Sequence, residues 1–404
     1  MPKDPPAISP LEAPDLQSSL LQPVTAGFLA AIVGFGSAFP IVLQGLAGVG
    51  ASPEQAASGL LALCVVTGLL GAIHSIATRQ PVSIAWSTPG AALLISTGVP
   101  DGGFAAATGA FMVAALLVVL AGLWKPFGRA VVGIPMSLAS AMLGGVLLTL
   151  CLAPVKAVGA APELALPIVL VWALGWRFAR LYAVPLAVLV TAGIVVFATP
   201  MPAGALAEIW PKPVLVMPEF TLAAVISIAL PLFIVTMASQ NVPGLAVMRG
   251  NGYQPDVGPV FISTGLFSGI TALFGGHAVN LAAITAALCA GPESHPDPAR
   301  RWIAPVASGV AYLLLGLFAG FASAFIAASP PLLIQAVAGL ALLSSLAGAV
   351  TSAMSKEDER VPAIVTFVTT ASGVGFFGIG SAFWGLVAGG LLLLLQRAGR
   401  PAGS

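Results

Sequence analysis

Residues 275–290 read GGHAVNLAAITAALCA, and the apolar part, Ala278 to Ala290, is too short to cross a bilayer as a simple helix. A membrane-spanning helix needs about 20 apolar residues, because the hydrocarbon core is about 30 Å thick. Longer apolar stretches flank it at 257–275 and 302–327. A short segment between long ones predicts a broken or re-entrant helix inside a polytopic membrane protein.

The composition supports the same class. Of 404 residues, 58% are hydrophobic and 7% are charged, whereas a soluble domain has about 25% charged residues. So few charges cannot cover the surface of a globule of this size, and lipid is the natural solvent for the excess of apolar sequence. The net charge of +1 gives no reason to expect nucleic acid. We therefore predict an all-α polytopic membrane protein.

Apolar runs bounded by charges, proline and glycine predict fourteen transmembrane segments. They cover residues 20–46, 56–77, 81–97, 103–124, 134–154, 163–179, 181–199, 219–247, 257–275, 277–290, 302–327, 331–353, 361–376 and 379–396. The third is interrupted by Pro89-Gly90 and the tenth is the shortest. If both were re-entrant, twelve crossings would remain.

The positions of the basic residues favour fourteen crossings. With the N-terminus inside, thirteen of the fifteen lysines and arginines fall on the inner side, as the positive-inside rule requires. The two on the outer side are Lys156 and Lys212. Removing the third and tenth crossings together reverses spans four to nine and destroys this bias. The charges thus predict that both termini lie in the cytoplasm, and the location we expect for such a protein is the inner membrane.

The two halves of the sequence resemble each other weakly. The stretch around Pro40 matches that around Pro243 at an offset of 203, Pro81 matches Ala278 at 197, and Ile134 matches Pro330 at 196. Seven spans per half is an odd number, so the second half starts from the opposite side and the repeat is inverted. Inverted repeats are typical of secondary transporters, whose sites lie at broken helices where the repeats meet. Chance similarity between helices rich in glycine, alanine and leucine is the alternative.

Three short motifs carry a family resemblance: SQNVPG at 239–244, GYQP at 252–255 and GGHAVN at 275–280. With them the chain resembles the benzoate:proton symporter (benzoate membrane transport) family over about residues 20–396. That family is similar to the seven-plus-seven inverted-repeat transporters of nucleobases, sulfate and bicarbonate.

The resemblance implies a division into two domains and two tails. A core domain (20–130 and 219–328) would carry the substrate past a gate domain (131–200 and 329–396) in an elevator-like motion. Spans three and ten would each begin with a short extended strand, at 81–83 and 278–280. Residues 1–19 would form a flexible cytoplasmic tail and 397–404 a C-terminal tail, and the gate domains of two copies would form a homodimer.

The sequence departs from the nucleobase symporters at the expected site. Those proteins carry a carboxylate in span eight, where this chain has Gln240 and Asn241, and the equivalent position in span ten is His277. No Asp or Glu lies near the middle of the membrane, so the site suits an anion better than a cation. Two half-helix N-termini, in spans three and ten, would add positive partial charge.

The predicted substrate-binding residues are of two kinds. Polar side chains would bind the carboxylate of an aromatic substrate, and aromatic side chains would pack against its ring. The residues are Gln240, Asn241, His277, Asn280, Ser83, Ser87, Thr88, Ser37, Phe39 and Trp86, with Phe274 as a further aromatic candidate. His277 is also the predicted proton carrier, because histidine titrates near neutral pH.

Each of these side chains has a structural alternative. His277 could face a water-filled vestibule, and the amides could join helices. Asn280 could close strand hydrogen bonds, the hydroxyls could bond their own helix, and Trp86 could anchor the membrane interface.

The predicted function is import of benzoate or a similar aromatic carboxylate by proton symport, without cofactor or metal. Another small anion or a nucleobase is the first alternative as substrate. A channel or an intramembrane enzyme is an alternative of another class. An enzyme would need a nucleophile with a base, or a metal cluster, and the three histidines and three cysteines are scattered along the chain.

Overall fold

The computed structural model describes residues 20–124, 126, 135–199 and 210–398. Several predictions fall outside these ranges. They concern the cytoplasmic tail 1–19, residues 131–134 and 200 of the gate domain, residues 399–404 of the C-terminal tail, and the inner-side charges Lys3, Lys125, Arg129 and Arg400.

Helices and two short strands make up the described chain. In chain order they are α1 (Leu21–Gly48), α2 (Pro53–Thr78), β1 (Ile84–Trp86), α3 (Thr88–Thr97), α4 (Gly103–Leu123), α5 (Met136–Cys151), α6 (Ala153–Ala160), α7 (Pro162–Phe178), α8 (Ala183–Ala198), α9 (Leu222–Gly250), α10 (Val257–Ala272), β2 (Val279–Leu281), α11 (Ile284–Ala290), α12 (Ile303–Gly316), α13 (Ala319–Ala328), α14 (Pro331–Ala353), α15 (Arg360–Ala371) and α16 (Ser381–Ala398). Short 3₁₀ turns occur at Arg180–Tyr182, Pro298–Arg300 and Glu357–Glu359.

Helical segments coincide with every predicted span, but their lengths differ widely. Among the described residues, eight helices are long and apolar enough to cross a membrane alone, with α5 and α6 counted as one. A ninth is added if α12 and α13, bent by 54° at their junction, form one span. The chain is therefore a membrane protein with many apolar helices, and fourteen crossings remain a prediction.

The third and tenth segments both begin with an extended strand. β1 and β2 pair antiparallel, with Ile84 opposite Leu281 and Trp86 opposite Val279. The strand predicted at 81–83 was placed three residues too early, because the Val82 N–H is taken by the Ser75 hydroxyl at 3.1 Å instead of by a strand. The strand predicted at 278–280 was one residue early.

Local sequence explains why the two half-helices begin where they do. Ser87 caps α3, its hydroxyl accepting from the Gly90 N–H at 3.1 Å, and Pro89 occupies the first turn, where its missing N–H costs nothing. Strand β1 ends at Trp86, directly before this cap, so Ser87 is the single residue between β1 and α3. In span ten β2 gives way to a helix of only seven residues, α11.

Helix α9 contains two π-helical stretches, Val225–Ala229 and Met237–Asn241. The second ends just before Pro243, which has no N–H to donate to the preceding turn. A π-bulge re-aims the side chains of its turn and is frequent at functional sites. Both Gln240 and Asn241 lie in this stretch.

Two sets of helices pack among themselves. In one, α4 packs on α10, and α12 on α1 and α2; in the other, α5 packs on α14 and α15, and α15 on α16. Small residues allow close approach, as at Gly45 of α1, where an added Cβ would lie 2.5 Å from the Ala91 carbonyl oxygen of α3. This contact fixes the position of the half-helix α3 against α1.

A buried carboxylate ties together the ends of α5, α15 and α16. Glu359 is 5% exposed; its side chain accepts from the Ser137 hydroxyl and lies 3.0 Å from Arg397 and 3.6 Å from Lys356. Burial alone would raise the pKa of this carboxyl, but the Ser137 hydrogen bond and the two cations outweigh burial and hold the pKa below its usual value. The ionised form therefore stabilises the fold.

Substituting Glu359→Gln is expected to destabilise the protein by about 1–3 kcal/mol near pH 7, the usual contribution of hydrogen bonds to a charged group. Because the pKa is lower in the folded state, this contribution is present above the unfolded pKa, about 4.3 for Glu. It is lost as the pH falls through the folded pKa. Thermal unfolding in detergent at pH 7 and pH 3.5 should show a gap in Tm between wild type and variant that narrows at the lower pH. A gap that is the same at both pH values would contradict this account.

Candidate functional site

A cavity lies where the half-helix α3, the π-bulge of α9 and the start of α11 meet α1, α12 and α14. The volume open to the centre of a water-sized sphere is about 90 Å³. Its wall consists of Val33, Gly34, Ser37, Ala38, Ile41, Ala85, Trp86, Thr88, Pro89, Gln240, Ala282, Ala283, Thr285, Tyr312, Ala341, Leu342 and Ser345. We call this space the central cavity.

Of the described residues that form the wall of the central cavity, only Gln240 carries an amide. Its side chain is 8% exposed, and among the described residues its amide has no protein hydrogen-bond partner. Because this amide lies in the cavity wall and bonds no other part of the described chain, Gln240 is available to donate to a ligand. Its position in the π-helical turn before Pro243 directs it to the cavity.

Aromatic rings form an apolar side of the central cavity. The Trp86 ring lies 5.4 Å from that of Tyr312 in an edge-on arrangement, and Phe35 lies 6.1 Å behind Trp86. Phe39, predicted to line the site, stacks on Phe35 at 5.2 Å and does not reach the wall. Trp86 is 3% exposed, which rules out its alternative as an interfacial anchor.

The N-terminal end of α3 lies in the wall through Thr88 and Pro89. A helix N-terminus carries positive partial charge and favours an anion nearby. The matching end of α11 also reaches the wall, but its seven residues give it a weaker macrodipole than the sequence led us to expect. No Asp, Glu, Lys, Arg or His lies in this wall, so its polarity comes from neutral donors and one helix end.

Asn241 and Asn280 hold the two strands instead of facing the cavity. The Asn241 Oδ1 accepts from the Leu281 N–H at 2.9 Å. With its amide oriented to satisfy both neighbours, Asn280 accepts from the Ser87 N–H at 3.0 Å and donates to the Leu281 carbonyl at 2.7 Å. The strand-closing alternative therefore describes Asn280.

His277 is also outside the central cavity. It is fully buried, its Nε2 lies 2.9 Å from the Ser87 carbonyl oxygen, and its ring lies 6.5 Å from that of Phe111. Neither predicted environment, a substrate contact or a water-filled vestibule, matches this position. The bond to Ser87 makes His277 a link between the start of span ten and the cap of α3. A second histidine, His74 of α2, has its Nε2 2.7 Å from the hydroxyl oxygen of Ser263 in α10.

The predicted site residues divide into two groups. Ser37, Trp86, Thr88 and Gln240 line the central cavity, although the Ser37 hydroxyl donates to the Val33 carbonyl at 2.7 Å. Six others lie outside this wall: Ser83, Ser87, Phe39, Asn241, His277 and Asn280. Phe274 lies in a separate apolar groove beside Leu61 and Ile270.

Residues 17–395 match the family model described as benzoate membrane transport protein. The chain belongs to the benzoate membrane transport protein family. A relative of that name from Acinetobacter baylyi is 32% identical over 381 residues, covering 94% of this chain and 96% of the relative. Inner membrane protein YdcO of Escherichia coli K12 is 42% identical over 369 residues, covering 91% of this chain and 93% of the relative. Membership of this family places the chain among membrane transporters and not among enzymes.

The fold of this family member is similar to a solved structure, the transmembrane domain of the bicarbonate transporter BicA from a cyanobacterium. The TM-score is 0.55 at 15% identity, and the match covers 94% of this chain and 99% of that domain. At this identity the likeness concerns the fold alone.

Sequence reasoning missed several residues of the central cavity. Tyr312 and Thr285 contribute polar side chains, and Leu342 and Ser345 come from α14, which the sequence assigned to the gate domain. Tyr312 lies in an ordinary apolar span with no motif around it. Only the spatial approach of α12 and α14 to the broken helices brings these residues together.

Proposed function

We propose that this protein imports benzoate or a similar aromatic carboxylate across the bacterial inner membrane. The observation that carries the proposal is the composition of the central cavity: a free Gln240 amide, the N-terminal end of α3 and the rings of Trp86 and Tyr312. A carboxylate would accept from the amide and lie near the helix end. The ring would pack edge-on or stacked against the two aromatic side chains.

We further propose that the chain crosses the membrane fourteen times in two inverted repeats of seven, with both termini in the cytoplasm. The distribution of the basic residues and the pairing of β1 with β2 support this arrangement. Residues 20–130 and 219–328 would form the moving core, and 131–200 and 329–396 the gate. Both domains would contribute residues to the central cavity, because α14 of the gate lies across it from α1, α3 and α9 of the core. Such an interface suits an elevator-like motion, and the outer faces of two gates would form a homodimer.

Proton symport is the proposed energy source. Among the described residues, no Asp, Glu or His lines the central cavity, so a proton carried by a carboxylate or an imidazole would be held outside it. His277 was predicted to carry that proton, but a charge there would be buried with no carboxylate partner, which is costly inside a membrane. We therefore propose that His277 acts by positioning the cap of α3.

Uptake by the purified protein in proteoliposomes tests the function. Labelled benzoate is expected to accumulate faster when the outside is more acidic than the inside, and a protonophore should remove the difference. Because protonated benzoate permeates bilayers, empty liposomes and heat-inactivated protein are the controls. Equal uptake in all three preparations would contradict the substrate, and uptake indifferent to the gradient would contradict proton coupling.

Another small anion or a nucleobase is the alternative substrate. Excess unlabelled benzoate should suppress uptake of the label, whereas uracil, sulfate and bicarbonate at the same concentration should have little effect. The rings of Trp86 and Tyr312 favour an aromatic substrate over the inorganic anions. Stronger competition by one of these three compounds than by benzoate would decide for the alternative.

Substituting Gly34→Ala should narrow the central cavity. An added Cβ at Gly34 would lie 2.5 Å from the Tyr312 hydroxyl and 3.2 Å from the Thr285 methyl group. Tyr312 would have to move toward the substrate, and we expect the KM for benzoate to rise about 5–10-fold, the equivalent of about 1 kcal/mol. Gly193→Ala is the matched control, since nothing lies within 4 Å of its added Cβ. Equal KM values for both variants would contradict the assigned cavity.

A further inference from the structure

A second, much smaller cavity lies behind the aromatic wall of the central cavity. It is enclosed by α2, the start of β1, α11 and α12, and two residues, Thr285 and Tyr312, line both cavities. The volume open to the centre of a water-sized sphere is about 10 Å³. That is about the space which one water molecule needs.

The surface of this small cavity is mostly polar. Five side-chain hydroxyl groups belong to its lining residues: Thr67, Ser83, Thr285, Ser308 and Tyr312. Two of these residues are almost completely buried, Thr67 at 2% exposure and Ser83 at 6%, and neither hydroxyl oxygen has a hydrogen-bond partner among the described residues. The Cys289 thiol lies beside Ser83, but a thiol is only a weak partner.

We propose that one ordered water molecule occupies this cavity and bridges the hydroxyl groups of Thr67 and Ser83. Buried hydroxyls without a partner lose their hydrogen bonds to solvent and gain nothing in return. A water that makes two to four hydrogen bonds removes that penalty, and the remaining hydroxyls of the lining offer further partners. The bound water joins α2 to the start of β1 and supports Tyr312 from behind.

A monovalent cation is a poorer occupant of the same space. No carboxylate lines the cavity, and a cation buried in a membrane protein without a negative partner is costly. The hydroxyl groups are neutral donors and acceptors, which match water in both roles. The assignment of a water does not depend on which substrate the protein carries.

The test compares two buried threonines that both lack a partner. Thr67→Val removes a hydroxyl that borders the cavity; Thr108→Val removes one that is equally buried in α4 and lines neither of these two cavities. Replacing an unsatisfied hydroxyl by a methyl group of the same shape is neutral or stabilising, whereas replacing one that binds water is destabilising. We therefore expect Thr67→Val to lower the Tm in detergent by about 1–3 °C and Thr108→Val to leave it unchanged or raise it.

Further variants and a change of salt test the bound water independently. Ser83→Ala alone should also lower the Tm, and combining it with Thr67→Val should cost less than the sum, because both remove the same water. Thr67→Ser keeps the hydroxyl and should retain more stability than Thr67→Val. If Thr67→Val and Thr108→Val have the same effect on the Tm, the small cavity holds no water. A Tm that rises in sodium chloride relative to choline chloride, and does so only while Thr67 is present, would assign a cation instead; either result overturns the proposal.

Discussion

Replacing Gln240 by leucine is expected to reduce the kcat/KM of benzoate uptake by about 10–100-fold. Leucine has a similar volume but cannot donate a hydrogen bond, and a hydrogen bond to a charged group is worth about 1.5–3 kcal/mol. Among the described residues, Gln240 is the only amide in the wall of the central cavity and makes no hydrogen bond to protein, so its loss should not disturb the fold. The measurement is initial uptake over a range of benzoate concentrations, normalised to the amount of protein in the liposomes.

Two further variants sharpen this test. Gln240→Glu keeps the shape and places a negative charge beside the carboxylate, so uptake should fall at least as far as with leucine. Gln335→Leu makes the same chemical change on an exposed face of α14 and should leave uptake close to wild type. Normal uptake by Gln240→Leu would remove the amide from the proposed site.

Replacing His277 by alanine is expected to abolish uptake, whereas glutamine should preserve at least a third of it. Alanine removes one of the two donors to the buried Ser87 carbonyl, the other being the Ala91 N–H at 2.8 Å, and opens a void beside Phe111. The combined cost is about 2–4 kcal/mol. Glutamine supplies an N–H at nearly the same distance along the side chain but does not titrate. A positioning role therefore survives the substitution and a proton-carrying role does not.

The proton gradient separates the two roles of His277. If it only positions the cap of α3, the His277→Gln variant keeps the same relative stimulation by an inward gradient as the wild type. If it carries the proton, the variant takes up benzoate without any response to the gradient. That second outcome would restore the interpretation drawn from the sequence, and our proposal for His277 would be wrong.

Much of the fold could be predicted because lipid imposes simple demands on sequence. Apolar length, proline and glycine at segment ends and the charge bias mark the helices, and the break at Pro89-Gly90 marks the third segment as unusual. The strand at 81–83 was misplaced because the hydrogen bond between Ser75 and Val82 is a tertiary contact with no local pattern. The bend between α12 and α13 follows Gly316, but glycine is common throughout these spans and does not single out this position.

The candidate site was only partly accessible from sequence. Motif residues such as Gln240 and His277 stand out as polar groups in apolar spans, but a polar residue in a membrane either binds a ligand or satisfies the backbone. Contacts decide between these roles: the Asn241 Oδ1 and the His277 Nε2 bond backbone groups. Among the described residues, Gln240 makes no such bond. Tyr312 and Ser345 could not be found, since neither position has a neighbouring motif and both reach the cavity through tertiary packing.

A structure determined in saturating benzoate would test the central claim most directly. The account predicts density for one benzoate in the central cavity, with its ring against Trp86 and Tyr312 and its carboxylate within hydrogen-bonding distance of the Gln240 Nε2. It also predicts that this density is absent from the Gln240→Glu variant under the same conditions. Benzoate bound elsewhere, or an unoccupied central cavity at a concentration that saturates uptake, would contradict it.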